Sequence, residues 1–296
     1  MAKPTNLVSK YASVDIGKRV FHLPQLPRLA NPKTALRQAI TSVVVLALIV
    51  GIGITLRQAA TSTDFTHTGL APTLTNLFGT DWMGRDIFAR TFAGLSTSIL
   101  IGIIASLVSA LIAVILGVLA AIGPSWLDSA ITWVIDLVLG IPHLLLLILI
   151  SIALGRGFWG VAIGVAVTHW PSLARVVRSE VLQVRESIYI ASAQALGRNP
   201  WQIATKHYWR ALAPQAMVGA ILLFPHAIMH EASITFLGFG LSPDSPAIGV
   251  ILSESVGYVG AGMWWAAVFP GVALLAIVLI FDAFARAMRV LLGGGR

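Results

Sequence analysis

His226 and His230 stand four residues apart inside an apolar run, Ala213 to Phe236, and Glu231 follows directly. Residues at i and i+4 share one face of a helix. Two imidazoles on one face are donors of the kind that suits nickel, zinc and copper. His169 occupies another apolar run, Gly157 to Val177. Ionisable side chains at membrane depth are costly, and they mostly face a bundle interior or a transport path. His169, His226, His230 and Glu231 are therefore candidates for a path, with His226 and His230 as candidate metal ligands. A plainer account competes. Pro142-His143, His169 with Pro171, and Pro225-His226 repeat one theme, in which proline frees a carbonyl and a nearby imidazole re-satisfies it. Glu231 could pair with His230. Asp282 has Arg286 at i+4, an ordinary helix ion pair, whereas Asp136 has no local partner.

The elements that must carry these groups are membrane spans. Of 296 residues, 57% are hydrophobic and only 11% are charged, and the mean hydropathy is +0.86. Soluble domains carry about 25% charged residues. A span needs about 20 apolar residues. Six runs qualify: 38–56, 96–122, 129–154, 157–177, 213–236 and 263–292. The composition thus predicts an all-α polytopic membrane protein with six transmembrane helices. Residues 1–37 form a basic N-terminal tail and 38–296 the transmembrane domain. The first run begins too late for a secretory signal and is expected to be a retained anchor. With no cysteine, disulfides and thiolate metal sites are excluded.

The formal charge of +8 raises nucleic acid as a partner, but the placement of the charges excludes it. Lys3, Lys10, Lys18, Arg19, Arg28, Lys33 and Arg37 lie in the tail. Arg178, Arg185, Arg198, Lys206 and Arg210 lie between the fourth and fifth runs. Residues 237–262 contain no Lys or Arg. Basic segments stay inside, which predicts both termini in the cytosol and a cytosolic loop over 178–212.

That loop has an organised look. Glu186 to Leu196 is rich in helix formers, with small residues at Ala191, Ser192, Ala193 and Ala195. Gly197 is a helix stop, and Asn199 with Pro200 can start a second helix running from Trp201 to Ala213 and ending at Pro214. Gly155 to Gly160 fits G-x-G-x-x-G, but it joins two apolar runs and lacks the strand–turn–helix setting of a dinucleotide site. It is expected to be a tight turn. No phosphate-binding G-x-x-x-x-G-K-[ST] occurs, so the chain has no such site for ATP. H-E-x-x-H is also absent, since Ile234 and Thr235 follow His230-Glu231, and nothing marks an intramembrane enzyme.

Three strings carry a resemblance. Gly79-Thr80-Asp81-Trp82-Met83-Gly84-Arg85-Asp86 with Arg90 precedes the second span. Ala191-Ser192-Ala193 with Gly197, His207 and Pro214 fills the cytosolic loop. Glu231-Ala232-Ser233-Ile234-Thr235-Phe236-Leu237-Gly238 with Gly240 and Pro243 closes the fifth span. Together they resemble the ABC-importer permeases of the dipeptide, oligopeptide and nickel family, in the C-type subunit of the pair. The histidines make the chain most similar to the nickel branch. The loop departs from the family's E-A-A pattern at its glutamate, where Ala191 stands.

The resemblance implies a type I importer permease in a bacterial inner membrane. It also implies a second homologous permease, two ATPase subunits and an extracytoplasmic binding protein as partners. ATP and magnesium would be used by those ATPases, and this chain would bind no cofactor. Ala191, Ser192, Ala193, Gly197, Trp201 and His207 become the expected ATPase-coupling contacts. Nickel, free or chelated, is the expected cargo on His226 and His230, and a di- or oligopeptide is the alternative. A stand-alone secondary transporter or channel is the rival from another class, although no internal repeat supports it.

Overall fold

The computed structural model describes residues 31–187, 190, 192, 197–198 and 208–293. Among the described residues the named α-helices are α1 (Pro32–Thr55), α2 (Ile87–Ile122), α3 (Ser125–Gly140), α4 (His143–Ala153), α5 (Gly157–Arg185), α6 (Trp209–Phe236), α7 (Ile248–Val259) and α8 (Trp265–Gly293). No strand occurs among the described residues, where a single isolated bridge joins Thr80 and Asp86. Among the described residues five helices are long and apolar enough to cross a membrane, and the bent pair α3–α4, taken as one span, makes a sixth. The expected all-helical, six-span architecture is therefore present.

The pair α3–α4 corrects the expected run 129–154. It is not one rod; the two helices meet at 98°. Pro142 has no N–H to continue the ladder, and Ile141 before it is extended at ψ 137°, as residues preceding proline prefer. Pro214 corrects the loop in the opposite direction. It was expected to end a helix, yet it lies inside α6, as Pro225 does. Membrane helices tolerate such prolines because neighbouring groups satisfy the freed carbonyls.

Caps set the starts. Asn31 accepts from the Lys33 N–H at 2.9 Å, with Pro32 in the first turn of α1. Asp86 accepts from the Ala89 N–H at 2.8 Å and opens α2, well ahead of the expected start at Ser96. At about 1.5 Å per residue, the 36 residues of α2 reach past a 30 Å hydrocarbon layer. Small residues let neighbours approach it. A Cβ built on Gly117 would lie 2.7 Å from the Ala174 carbonyl of α5, and one on Gly102 2.7 Å from the Phe224 ring of α6.

The core follows from these crossings. One apolar cluster joins α2, α3, α5 and α6 around Ile135, Trp170, Val177 and Leu212. A second joins α2, α4, α5 and α6 around Ile101, Leu147, Val165 and Ile234. A third brings Leu46, Phe224, Ile277 and Phe281 together. The large exposed apolar side chains, such as Leu107, Leu111, Trp133 and Leu279, lie on outward helix faces, as lipid or a partner helix requires.

The Gly155–Gly157 connection is the tight turn expected of it. Gly155, Arg156 and Gly157 all have positive φ, at 87°, 59° and 74°. The turn is tied to the end of α6: the Gly157 N–H donates to Gly240 O at 3.1 Å, and the Ser151 hydroxyl to Phe239 O at 2.9 Å.

Candidate functional site

Three helices bring three imidazoles together. His143 opens α4 just past the bend, His169 lies midway along α5, and His230 lies near the end of α6. The ring centroids of His143 are 4.5 Å from those of both His169 and His230, and His169 to His230 is 5.0 Å. His169 is buried, whereas His143 and His230 are partly exposed. The Nδ1 of His169 faces the Val165 carbonyl at 2.8 Å, and the Nδ1 of His230 faces the His226 carbonyl at 2.8 Å. His143 Nε2 is buried without a partner.

His226 is not in this group. A step of four residues turns a helix by about 400°, leaving a 40° offset. The same step moves it about 6 Å along the axis, and its exposed ring lines a cavity of about 670 Å³ between α5, α6 and α8, with Ser172, Leu173, Gln215 and Arg289. The expected pair His226 and His230 is thus divided between two environments. The proline account of the histidines also needs correction. Pro171 and Pro225 free the carbonyls of Val167 and Ile221, four residues back. The imidazoles instead face Val165 and His226.

Glu231 does not pair with His230. It is fully buried, accepts from the Thr235 hydroxyl at 3.1 Å, and has Ser98 of α2 beside it. Asp136 does find a partner, Arg175 of α5, and Asp282 pairs with Arg286 as the spacing predicts. Asp128 is bound by both forks of Arg178, at 2.7 and 2.6 Å, which locks the start of α3 onto α5.

A charge network stands at the opposite end from the cavity, where α2 begins. Asp81 Oδ2 accepts from Arg85 Nε and from Arg90 Nη1, each at 2.6 Å. The Glu254 carboxylate accepts from Arg85 at 2.9 Å and from Arg90 at 2.7 Å. Asp81 Oδ1 also takes the N–H groups of Met83 and Arg85. The string from Gly79 to Arg90 is therefore a folded turn clamped onto α7, a helix that sequence reasoning placed in a connecting segment. In the same loop the Asp64 carboxyl is held down at about 2, chiefly by the Thr66 hydroxyl and then by His67.

Of the expected coupling residues, Ser192 and Gly197 are described and exposed. Gly197 has φ +75°, and a Cβ built there would meet nothing within 4 Å. Its backbone is left-handed, a conformation glycine adopts at no steric cost. Ala191, Ala193, Trp201 and His207 lie outside the described residues.

Residues 113–289 match the family model described as the binding-protein-dependent transport system inner membrane component. This chain belongs to that family. It is an importer permease, a membrane transport subunit rather than an enzyme, and ATP hydrolysis falls to partner ATPases. Among its relatives, the dipeptide transport system permease DppC of Bacillus subtilis strain 168 is 30% identical over 70% of this chain. That match spans 65% of DppC, just under two thirds of its length. A probable D,D-dipeptide permease of Escherichia coli K12 is 31% identical, covering 77% of this permease and 76% of its own length. A provisionally named peptide transport permease of Brucella abortus is 30% identical over 95% and 94%. The fold is similar to a chain solved in inward-facing conformations of the MetNI methionine ABC transporter, with TM-score 0.53 and 19% identity. The alignment covers 66% of the permease and 94% of that chain. None of these relatives is named for nickel, so the nickel branch inferred from the histidines is not supported.

Two features of the site escaped sequence reasoning. Glu254 was noticed only for its charge, because its arginine partners are far away in sequence. His143 was placed beside Pro142 but not with His169 and His230, because the bend that delivers it has no directional signal in sequence.

Proposed function

We propose that this permease imports a di- or oligopeptide. The observation that carries the reading is the naming of its relatives, one of which aligns along 95% of the chain at 30% identity under a peptide-transport name. The permease works beside a second, homologous permease, over two ATPases, and receives its cargo from an extracytoplasmic binding protein. Both termini are cytosolic and 178–212 is the coupling loop, a reading supported by the placement of Lys and Arg. ATP-driven closure of the ATPases moves the elbow at Gly197, and the motion passes into α5 and α6, which flank it in sequence. The cavity beside His226 is then the inner part of the path.

The test is uptake of a labelled dipeptide into vesicles holding both permeases and both ATPases, with binding protein outside the face that receives it. ATP-dependent uptake that stops when this chain is omitted is the expected result. Uptake that proceeds without ATP would favour the secondary-transporter reading. A second reading, a metal or metal chelate as cargo, is favoured by one observation, the convergence of His143, His169 and His230. It requires that nickel, supplied alone or with a chelator, be accumulated by the same vesicles while dipeptide is not.

A further inference from the structure

We propose that His143, His169 and His230 form a binding site for a borderline divalent metal ion, of the Ni2+, Zn2+ and Cu2+ class, built entirely within this chain. One nitrogen from each residue lies within 4.8 Å of the other two. The rings meet at 87°, 72° and 76°, edges turned to one another rather than stacked face to face.

The tautomers point the same way. A neutral imidazole carries one N–H and one lone pair. The Val165 carbonyl takes the Nδ1 proton of His169, and the His226 carbonyl takes that of His230. Each Nε2 therefore keeps its lone pair. A backbone carbonyl holding the far ring nitrogen is the usual outer support of a histidine that binds metal. His169 Nε2 lies 3.4 Å from Nδ1 of His230, so the lone pair of His169 faces the His230 ring.

His143 Nε2 is the second, independent sign. It is buried and unpartnered, and buried polar atoms seldom stay so. Simple carbonyl bonding leaves it unexplained, as does the proline account, whose freed carbonyls are not the ones used. Three ligands on α4, α5 and α6 hold one another in place through helices already packed together. Three imidazoles leave a further coordination position open. The partial exposure of His143 and His230 directs that position to the uncovered face of the chain. The bent pair α3–α4 acquires a purpose here, since its break delivers His143.

The site does not depend on which cargo is carried. A metal bound here could steady the bend during peptide transport or meet a metal-bearing cargo, so failure of one reading leaves the other standing. The permease complex, purified in detergent with no polyhistidine tag, is dialysed against Ni2+ and then analysed for metal. About one Ni2+ per copy of this chain is expected, displaced by Zn2+, with an imidazole signature in X-ray absorption. His143→Ala, His169→Ala and His230→Ala should each weaken binding by more than about 100-fold, beyond what losing an outer partner costs. His226→Ala should leave the stoichiometry unchanged. Ni2+ should also raise the melting temperature of the unaltered complex, a readout that needs no variant to fold. No retained Ni2+, no shift in melting, or binding lost with His226→Ala but kept with His143→Ala would overturn the site.

Discussion

The guanidinium of Arg90 and the carboxylate of Glu254 meet at 2.7 Å although 164 positions separate them. Arg90 is almost fully buried, with only 3% of its side chain exposed, and Asp81 holds it from the other side. A buried guanidinium needs its partners because a desolvated charge left alone is expensive. The pair fastens the start of α2 to α7 and fixes the loop around Gly84. Glu254→Gln keeps the shape and removes the charge. It should destabilise the permease by about 1.5–3 kcal/mol, the range for hydrogen bonds to charged groups. Thermal unfolding in detergent reads this, and an unshifted transition would show that Asp81 alone suffices.

Glycine at helix crossings gives a contrast between two substitutions of one kind. Gly117→Ala would place a methyl 2.7 Å from the Ala174 carbonyl, a backbone atom that cannot swing aside. Overpacking of this sort costs about 1–3 kcal/mol. Gly51→Ala meets nothing within 4 Å and should be neutral or stabilising by up to about 1 kcal/mol through helix propensity. Equal melting temperatures for the two variants would contradict the crossing described for α2 and α5.

Gly197 separates backbone geometry from side-chain contact. Its φ of +75° favours glycine, while the open space around it leaves room for a side chain. Gly197→Val should abolish ATP-driven uptake while the protein stays in the membrane. Gly197→Asn should retain much of it, because asparagine visits the left-handed region. Full activity in the valine variant would remove the elbow from the coupling mechanism.

Asp64 makes the loop before α2 sensitive to acid. Its carboxyl is held near 2 by the Thr66 hydroxyl and by His67. A group with a lowered folded pKa stabilises above its unfolded value and loses that contribution as pH falls through the folded one. The stabilisation is thus intact above about pH 4 and lost toward pH 2. Carboxyl titration followed by NMR in labelled protein should show the depressed midpoint, and Thr66→Val should raise it. A midpoint near 4 in the unaltered protein would mean that Thr66 and His67 do not hold the carboxylate.

Much was legible in the order of residues. Uninterrupted apolar runs long enough for lipid can only be buried as helices, which is why six spans could be counted. Gly197, Gly155 and Gly157 marked turns that glycine makes cheaply, and Asp282 with Arg286 lay within one helical turn. The family strings at Gly79–Arg90 and Glu231–Pro243 needed no coordinates. The tertiary structure decided which faces meet. Helical period orders side chains around a single axis, but it says nothing of the neighbour that axis will pack against. Hence His230 joined His143 and His169 rather than His226, Glu254 found Arg90, and Asp136 found Arg175. The 98° bend is the same kind of fact: Pro142 guarantees a break, and only packing against α5 and α6 gives that break a direction.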